Sequence, residues 1–247
     1  MNFIPISAAQ IQDTMARLSY FDGWGKDQLG RLASGTKQFF LPKKEKLIGK
    51  GDLIDSLYVV VSGQMRLYIP LSNRSERVIS LIGQGQSFGE PCLIRAESCP
   101  YEAVAGKDSH LFAIDALVYR RELRDSPALA ERTMNLLAQR LLDTLRDIEI
   151  CAQPSSLQKV AHYLIQLRPA QSPPSAAIHE LEIRLPALKR DIAGKLGLSQ
   201  ETFSRMLAFM SQQGFIQLTG SKIRVEDWIR LHGLATAGCP MEVAGKN

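Results

Sequence analysis

The chain has 247 residues, 45% of them hydrophobic, with charges of both signs mixed throughout, a formal net charge of +5 and a pI near 9.1. That length holds one large or two modest domains, and the composition excludes a disordered or low-complexity chain. "MNFIPISAAQIQDTM" lacks the basic start and apolar stretch of a signal peptide, and no run approaches the ~20 apolar residues of a membrane span, so a cytoplasmic protein without membrane contact is expected.

The first stretches, "SAAQIQDTMARLSYF" and "GKDQLGRLASG", have helical character and are expected to cap a β module. Residues 36 to 114 read as short β-branched or aromatic strands separated by Gly, Asp, Asn and Ser, the pattern of a barrel or sandwich. In "LYVVVSGQMRLYI" the Ser62-Gly63 pair is expected to turn a tight hairpin, glycine supplying positive φ.

From Pro127 the period changes. Met134, Ala138, Leu141, Leu145 and Ile148 recur at steps of four and three, which lines one seam of a helix suited to a parallel dimer or to packing on the strand module. A second helix, "SSLQKVAHYLIQL", begins at Ser155 or Ser156 as N-cap, and "RPAQSPPSAAIHE" reads as a loop. The expected domains are 1–126, 127–153 and 154–247, with Pro154 as a hinge.

The most specific stretch is residues 185 to 227. Leu188, Ile192 and Leu196 suggest one apolar helix face, Gly197-Leu198-Ser199 a three-residue turn, and Gln200 to Gln213 a second helix capped by Ser199 and ended by Gly214. Phe203, Met206, Leu207 and Met210 would face inward, and "FIQL", "TGSK" and "IRVED" suggest a two-stranded wing. Gln200, Glu201, Ser204 and Arg205 are then left to face base edges; Arg205 matches guanine O6 and N7, while Glu201 matches cytosine N4 or steadies Arg205. Lys189, Arg190, Lys195, Thr202 and Lys222 are candidates for phosphate contacts.

In this order of parts the chain resembles the CRP/FNR superfamily, named for the cyclic-AMP receptor protein and the fumarate-nitrate-reduction regulator, over about residues 20 to 232. "GDLIDSLYVVVSGQMRLY" looks like its β-roll signature, "SFGEPCLI" like its phosphate-binding cassette and "LGLSQETFSR" like its recognition helix. The resemblance implies an α+β fold: an N-terminal double-stranded, jelly-roll-like β-roll of the cyclic-nucleotide-binding kind, a long dimerisation helix and a C-terminal winged helix-turn-helix. It also implies a homodimer on double-stranded DNA, with RNA polymerase as a partner. The E-x-x-S-R pattern of Glu201, Ser204 and Arg205 implies a palindrome with TTGAT-type half-sites. The regulatory sign, activator or repressor, stays open.

The same resemblance places Phe88, Gly89, Glu90, Tyr101 and Glu102 around the effector pocket. Tyr101 stands where the family's phosphate-pairing arginine would be and Glu102 where a small hydroxyl residue would be, so cyclic AMP is not the expected ligand. Arg95 is the nearby cation that would have to substitute. No cysteine precedes Cys92, which leaves a [4Fe–4S] cluster of the oxygen-sensing kind without its ligands. The cysteines Cys92, Cys99, Cys151 and Cys239 have no paired C-x-x-C spacing and read as reduced thiols.

What remains resembles the Dnr-type regulators of nitrate and nitric-oxide respiration, which favours haem and nitric oxide as the effector. The dipeptides Cys99-Pro100 and Cys239-Pro240 fit thiolate ligation of iron, and His110, His162, His179 and His232 are further candidate ligands; no metal site is otherwise assigned. Alternatives are a thiol switch at Cys92 and Cys99, or an unidentified small ligand. A cyclic-nucleotide-type module regulating a kinase or channel would keep the arginine and lack the recognition helix. An enzyme would group a nucleophile, base and orienter, and no motif here does.

Overall fold

The computed structural model describes residues 2–71, 76–168 and 182–237. They form two packed units, 1–140 and 141–247, divided inside one long helix.

In the first unit β1 (Asn2–Ile4), α1 (Ala8–Met15) and α2 (Lys26–Ser34) precede β2 (Thr36–Leu41), β3 (Lys46–Ile48), β4 (Ser56–Ser62), β5 (Gln64–Pro70), β6 (Glu76–Gly83) and β7 (Ser87–Phe88). Then come α3 (Glu90–Arg95), β8 (Glu102–Ala105), β9 (Ser109–Asp115) and α4 (Ala116–Asp125), and the long helix α5 (Pro127–Ala152) begins. The strands make two antiparallel sheets, ordered β1-β2-β9-β4-β7 and β3-β8-β5-β6.

Strand β4 shows why "LYVVV" is a continuous apolar run rather than an alternating one. Tyr58 and Val60 enter the core between the sheets, while Leu57 and Val59 enter a second core under the helices, so both faces are dry. Ile11 and Met15 of α1 and Leu29 and Leu32 of α2 close that second core, as expected of capping helices. The helix α4 is not visible in the strand pattern; Asp115 caps it by accepting from Leu117 and Val118 N–H at 2.8 and 3.1 Å.

One expectation is corrected. Ser62-Gly63 does not turn a hairpin, because β4 and β5 belong to different sheets. Gly63 has φ +93°, and a Cβ there would lie 2.4 Å from the Asp108 carbonyl oxygen, so glycine serves a close backbone crossing between sheets. The hairpin is instead β5–β6.

The second unit contains the rest of α5, then α6 (Ser156–Gln166), β10 (Glu182–Arg184), α7 (Lys189–Leu196), α8 (Gln200–Gln212), β11 (Ile216–Thr219), β12 (Lys222–Val225) and α9 (Trp228–Ala237). Ser155 is the N-cap of α6, its hydroxyl accepting from Gln158 N–H at 3.1 Å. Phe203, Leu207 and Met210 join Ile192, Leu196, Val160 and Leu164 in one core, with Met206 packed at its edge. Leu188 departs from the expected face: it is the N-cap of α7 and half exposed, and Ala193 takes the buried place. The wing has three strands, ordered β10-β12-β11, rather than two. Helix α9, also unforeseen, buries Leu231 and Leu234 in the same core.

Candidate DNA interface and effector cassette

The turn between α7 and α8 is fixed by Gly197 at φ +68° and by Ser199, whose Oγ accepts from Thr202 N–H at 3.1 Å. The Thr202 hydroxyl is itself engaged with Ser199 Oγ at 3.1 Å, so it braces the cap. With Phe203 and Leu207 buried, Gln200, Glu201 and Arg205 lie exposed on one side of the first turns and Ser204 is half-buried beside them. A backbone hydrogen bond at the helix start, then the Ser199 hydroxyl, hold the Glu201 carboxyl below its usual range. Glu201 makes no ion pair with Arg205, whose guanidinium has no partner among the described residues.

The surrounding cations are differently placed. Arg190 lies 3.6 Å from Asp191, Lys195 pairs with Asp147 at 3.0 Å, and Lys222 pairs with Glu182 at 2.7 Å. Lys195 is therefore held within the protein, while Lys189 opens α7 half-buried. Sequence reasoning missed Arg184 and Arg224. Ile183 and Ile223 are buried, so the alternation of "EIR" and "KIRV" turns both arginines to solvent on the wing beside Lys222.

The cassette is built differently from the expectation. Gly89, at φ +104°, opens α3, and a Cβ there would meet Ile54 Cδ1 at 2.9 Å. Glu90 is fully buried and turned toward α5: Arg140 Nη1 donates to its Oε2 at 2.8 Å, Arg140 Nη2 donates to the Ser87 carbonyl at 2.6 Å, and the Ser87 hydroxyl donates to Oε1. Arg120 Nε donates to the Leu93 carbonyl at 3.1 Å from the other side. Two arginines thus grip α3 from within its own unit.

Tyr101 is buried with Phe88, Tyr58, Cys92 and Cys99 in the core between the sheets. Burial, reinforced by the neighbouring thiols, pushes its hydroxyl pKa far above the ordinary value. Glu102 does not join it. On β8 Ala103 and Ala105 point inward, so Glu102 takes the opposite face, where Tyr68 Oη donates at 2.6 Å and Lys46 Nζ lies 2.7 Å away. Lys46 and then Tyr68 hold that carboxyl below its usual range. Arg95 pairs with Glu97 at 3.1 Å on the surface and offers no replacement cation.

Comparison with known proteins agrees along the chain. Residues 38–126 match the family described as Cyclic nucleotide-binding domain, and residues 158–234 match the Crp-like helix-turn-helix domain. The cyclic AMP receptor protein of Thermus thermophilus is 27% identical over 215 residues, 87% of this chain and 95% of that protein. The nitrogen fixation regulation protein FixK of Azorhizobium caulinodans is 26% identical over 190 residues, 77% and 75% of the two chains. This chain belongs to the CRP/FNR family.

The structure of FixK2 from Bradyrhizobium japonicum shares the fold of this CRP/FNR protein, with a TM-score of 0.65 at 22% identity over 83% of this chain and 99% of that one. The family is one of DNA-binding transcription regulators, not of enzymes. No helix among the described residues is long and apolar enough to cross a membrane.

In this CRP/FNR regulator the seam of α5 is open. Met134, Leu141, Leu145 and Ile148 are 62%, 61%, 52% and 59% exposed, and Leu142, which the spacing does not single out, is 50% exposed. Ala138 is exposed between them.

Burial pushes the Cys99 thiol up to about 12, helped by a hydrogen bond with Cys92. It is therefore a neutral thiol at physiological pH and a poor nucleophile. His110 packs on Phe40 at 5.2 Å, and His162 and His232 lie in the second unit. Among the described residues no three His, Cys, Asp or Glu side chains converge. Cys239 and His179 lie outside the described residues.

Proposed function

We propose that this family member is a homodimeric regulator that joins through the α5 seam and reads a TTGAT-type palindrome with α8, under the control of a small effector other than cyclic AMP. The carrying observation is the α8 N-terminus: a capped helix on a buried apolar face, offering Gln200, Glu201, Ser204 and an unpaired Arg205 outward. Lys189, Arg190, Lys222, Arg184 and Arg224 supply phosphate contacts around it. Twofold symmetry sets the two recognition helices about 34 Å apart, one DNA turn. RNA polymerase is the expected further partner.

Footprinting of the full chain on such a palindrome tests this. The wild type should protect both half-sites together. Leu145→Lys, which places a charge in the seam, should protect neither at the concentration that saturates the wild type; wild-type protection of one half-site alone goes against the reading.

Haem, which the Dnr-type resemblance implies, does not fit the candidate ligands of the first unit. Cys99 is a neutral thiol inside the β-roll core, Cys92 is buried beside it, and His110 sits against Phe40. Anaerobic haem titration should give no stoichiometric Soret band; a band whose position shifts with nitric oxide would reverse this conclusion. Cys92 and Cys99 are both buried, which gives a redox switch little access either.

A further inference from the structure

One cavity of the first unit lies away from the cassette core. It has a volume of about 230 Å³ and is walled by Tyr20 and Trp24 before α2, by Gly85 and Gln86 between β6 and β7, and by Leu129, Arg132 and Leu136 on α5. Its surface is mostly apolar, and its polar groups are lopsided. Arg132 uses one N–H on the Ser19 carbonyl, at 3.1 Å, leaving further guanidinium donors.

The hydroxyls nearby are already committed to one another. Tyr20 Oη lies 3.1 Å from Tyr119 Oη, which lies 3.3 Å from Thr133 Oγ1. Burial holds the Tyr20 hydroxyl protonated, its pKa well above the ordinary value. No carboxylate lines the cavity among the described residues. It thus combines an apolar volume with a cation and no carboxylate, which suits an anionic, largely apolar ligand.

We propose that this cavity is a binding site for a small apolar carboxylic acid about the size of a substituted benzene ring. A cavity of about 150 Å³ already accepts benzene, and drug-sized ligands need about 300 Å³ or more, so the volume selects a single ring with a short acid group. The carboxylate takes Arg132; the ring lies against Leu129 and Leu136. Such a ligand joins the segment before α2, the β6–β7 turn and α5. Its role as the effector rests on the regulator reading above, because a ligand controls DNA binding only by preferring one placement of α5 over another.

Calorimetry on the full chain with benzoate as probe, and benzylamine as its cationic counterpart, tests the proposal. Benzoate should bind once per chain and benzylamine should not. Leu136→Trp, which fills the cavity, and Arg132→Gln, which removes the cation, should each weaken benzoate at least roughly tenfold. Thermal unfolding of Arg132→Gln should match the wild type, which separates lost binding from lost folding. No saturable benzoate binding, or binding untouched by Leu136→Trp, overturns the site. A palindrome titration on the same samples keeps the two readings apart. A chain that binds DNA but not benzoate loses this site alone, and one that binds benzoate but not DNA loses only the regulator reading.

Discussion

Replacing Arg140 by alanine should destabilise the β-roll by about 3–5 kcal/mol, the largest stability effect we expect from one surface-reaching side chain. The substitution leaves the Glu90 carboxylate, 0% exposed, with only the Ser87 hydroxyl for company. It also frees the Ser87 carbonyl. The loss belongs to the stranded charge rather than to the ion pair as such, so the double variant Glu90→Gln, Arg140→Met should recover most of it. Urea unfolding followed by Trp24 fluorescence in a Trp228→Phe background reports the first unit alone, since these are the chain's two tryptophans. A single Arg140→Ala variant as stable as the wild type would mean that the carboxylate finds water or another cation, and that the cassette is not held by an internal clamp.

Arg205→Ala should leave the fold intact and remove sequence discrimination. Arg205 is exposed and makes no hydrogen bond or ion pair among the described residues, so its loss should cost the winged helix little. A bidentate arginine–guanine contact carries about 1–3 kcal/mol of discrimination, and a dimer makes it twice, so the preference for the palindrome should fall roughly 10²-fold or more. Binding to unrelated DNA, which we propose is carried by Lys189, Arg190 and the wing arginines, should change little and keep its steep salt dependence. Lys222→Ala should do the reverse, weakening all sequences alike. If Arg205→Ala protects the same site with the same preference, α8 is not the reading element.

The contrast between these two residues explains which parts are legible in the sequence. The helix-turn-helix is local: Gly197, Ser199, Phe203, Leu207 and Gly214 lie within 18 residues, and each has a short-range physical reason. The α5 seam is readable for the same reason, as a spacing within one helix. The clamp on the cassette is not, because Glu90 and Arg140 stand 50 positions apart and nothing in either neighbourhood announces the other. Glu102 is expected beside Tyr101 because neighbours in sequence look like neighbours in a pocket; on a strand they face opposite ways. Gly63 reads as a hairpin because positive φ serves a turn and a sheet crossing equally well. Leu188 looks like a core residue by its spacing to Ile192, and its place as N-cap leaves it in solvent.

Sequence reading by α8 is tested most directly by competition titration of the full chain, at one fixed salt concentration, between the TTGAT palindrome and a duplex of the same composition with its bases permuted. A preference for the palindrome on the order of 10³ or more is expected. Equal affinity for the two duplexes would contradict the claim.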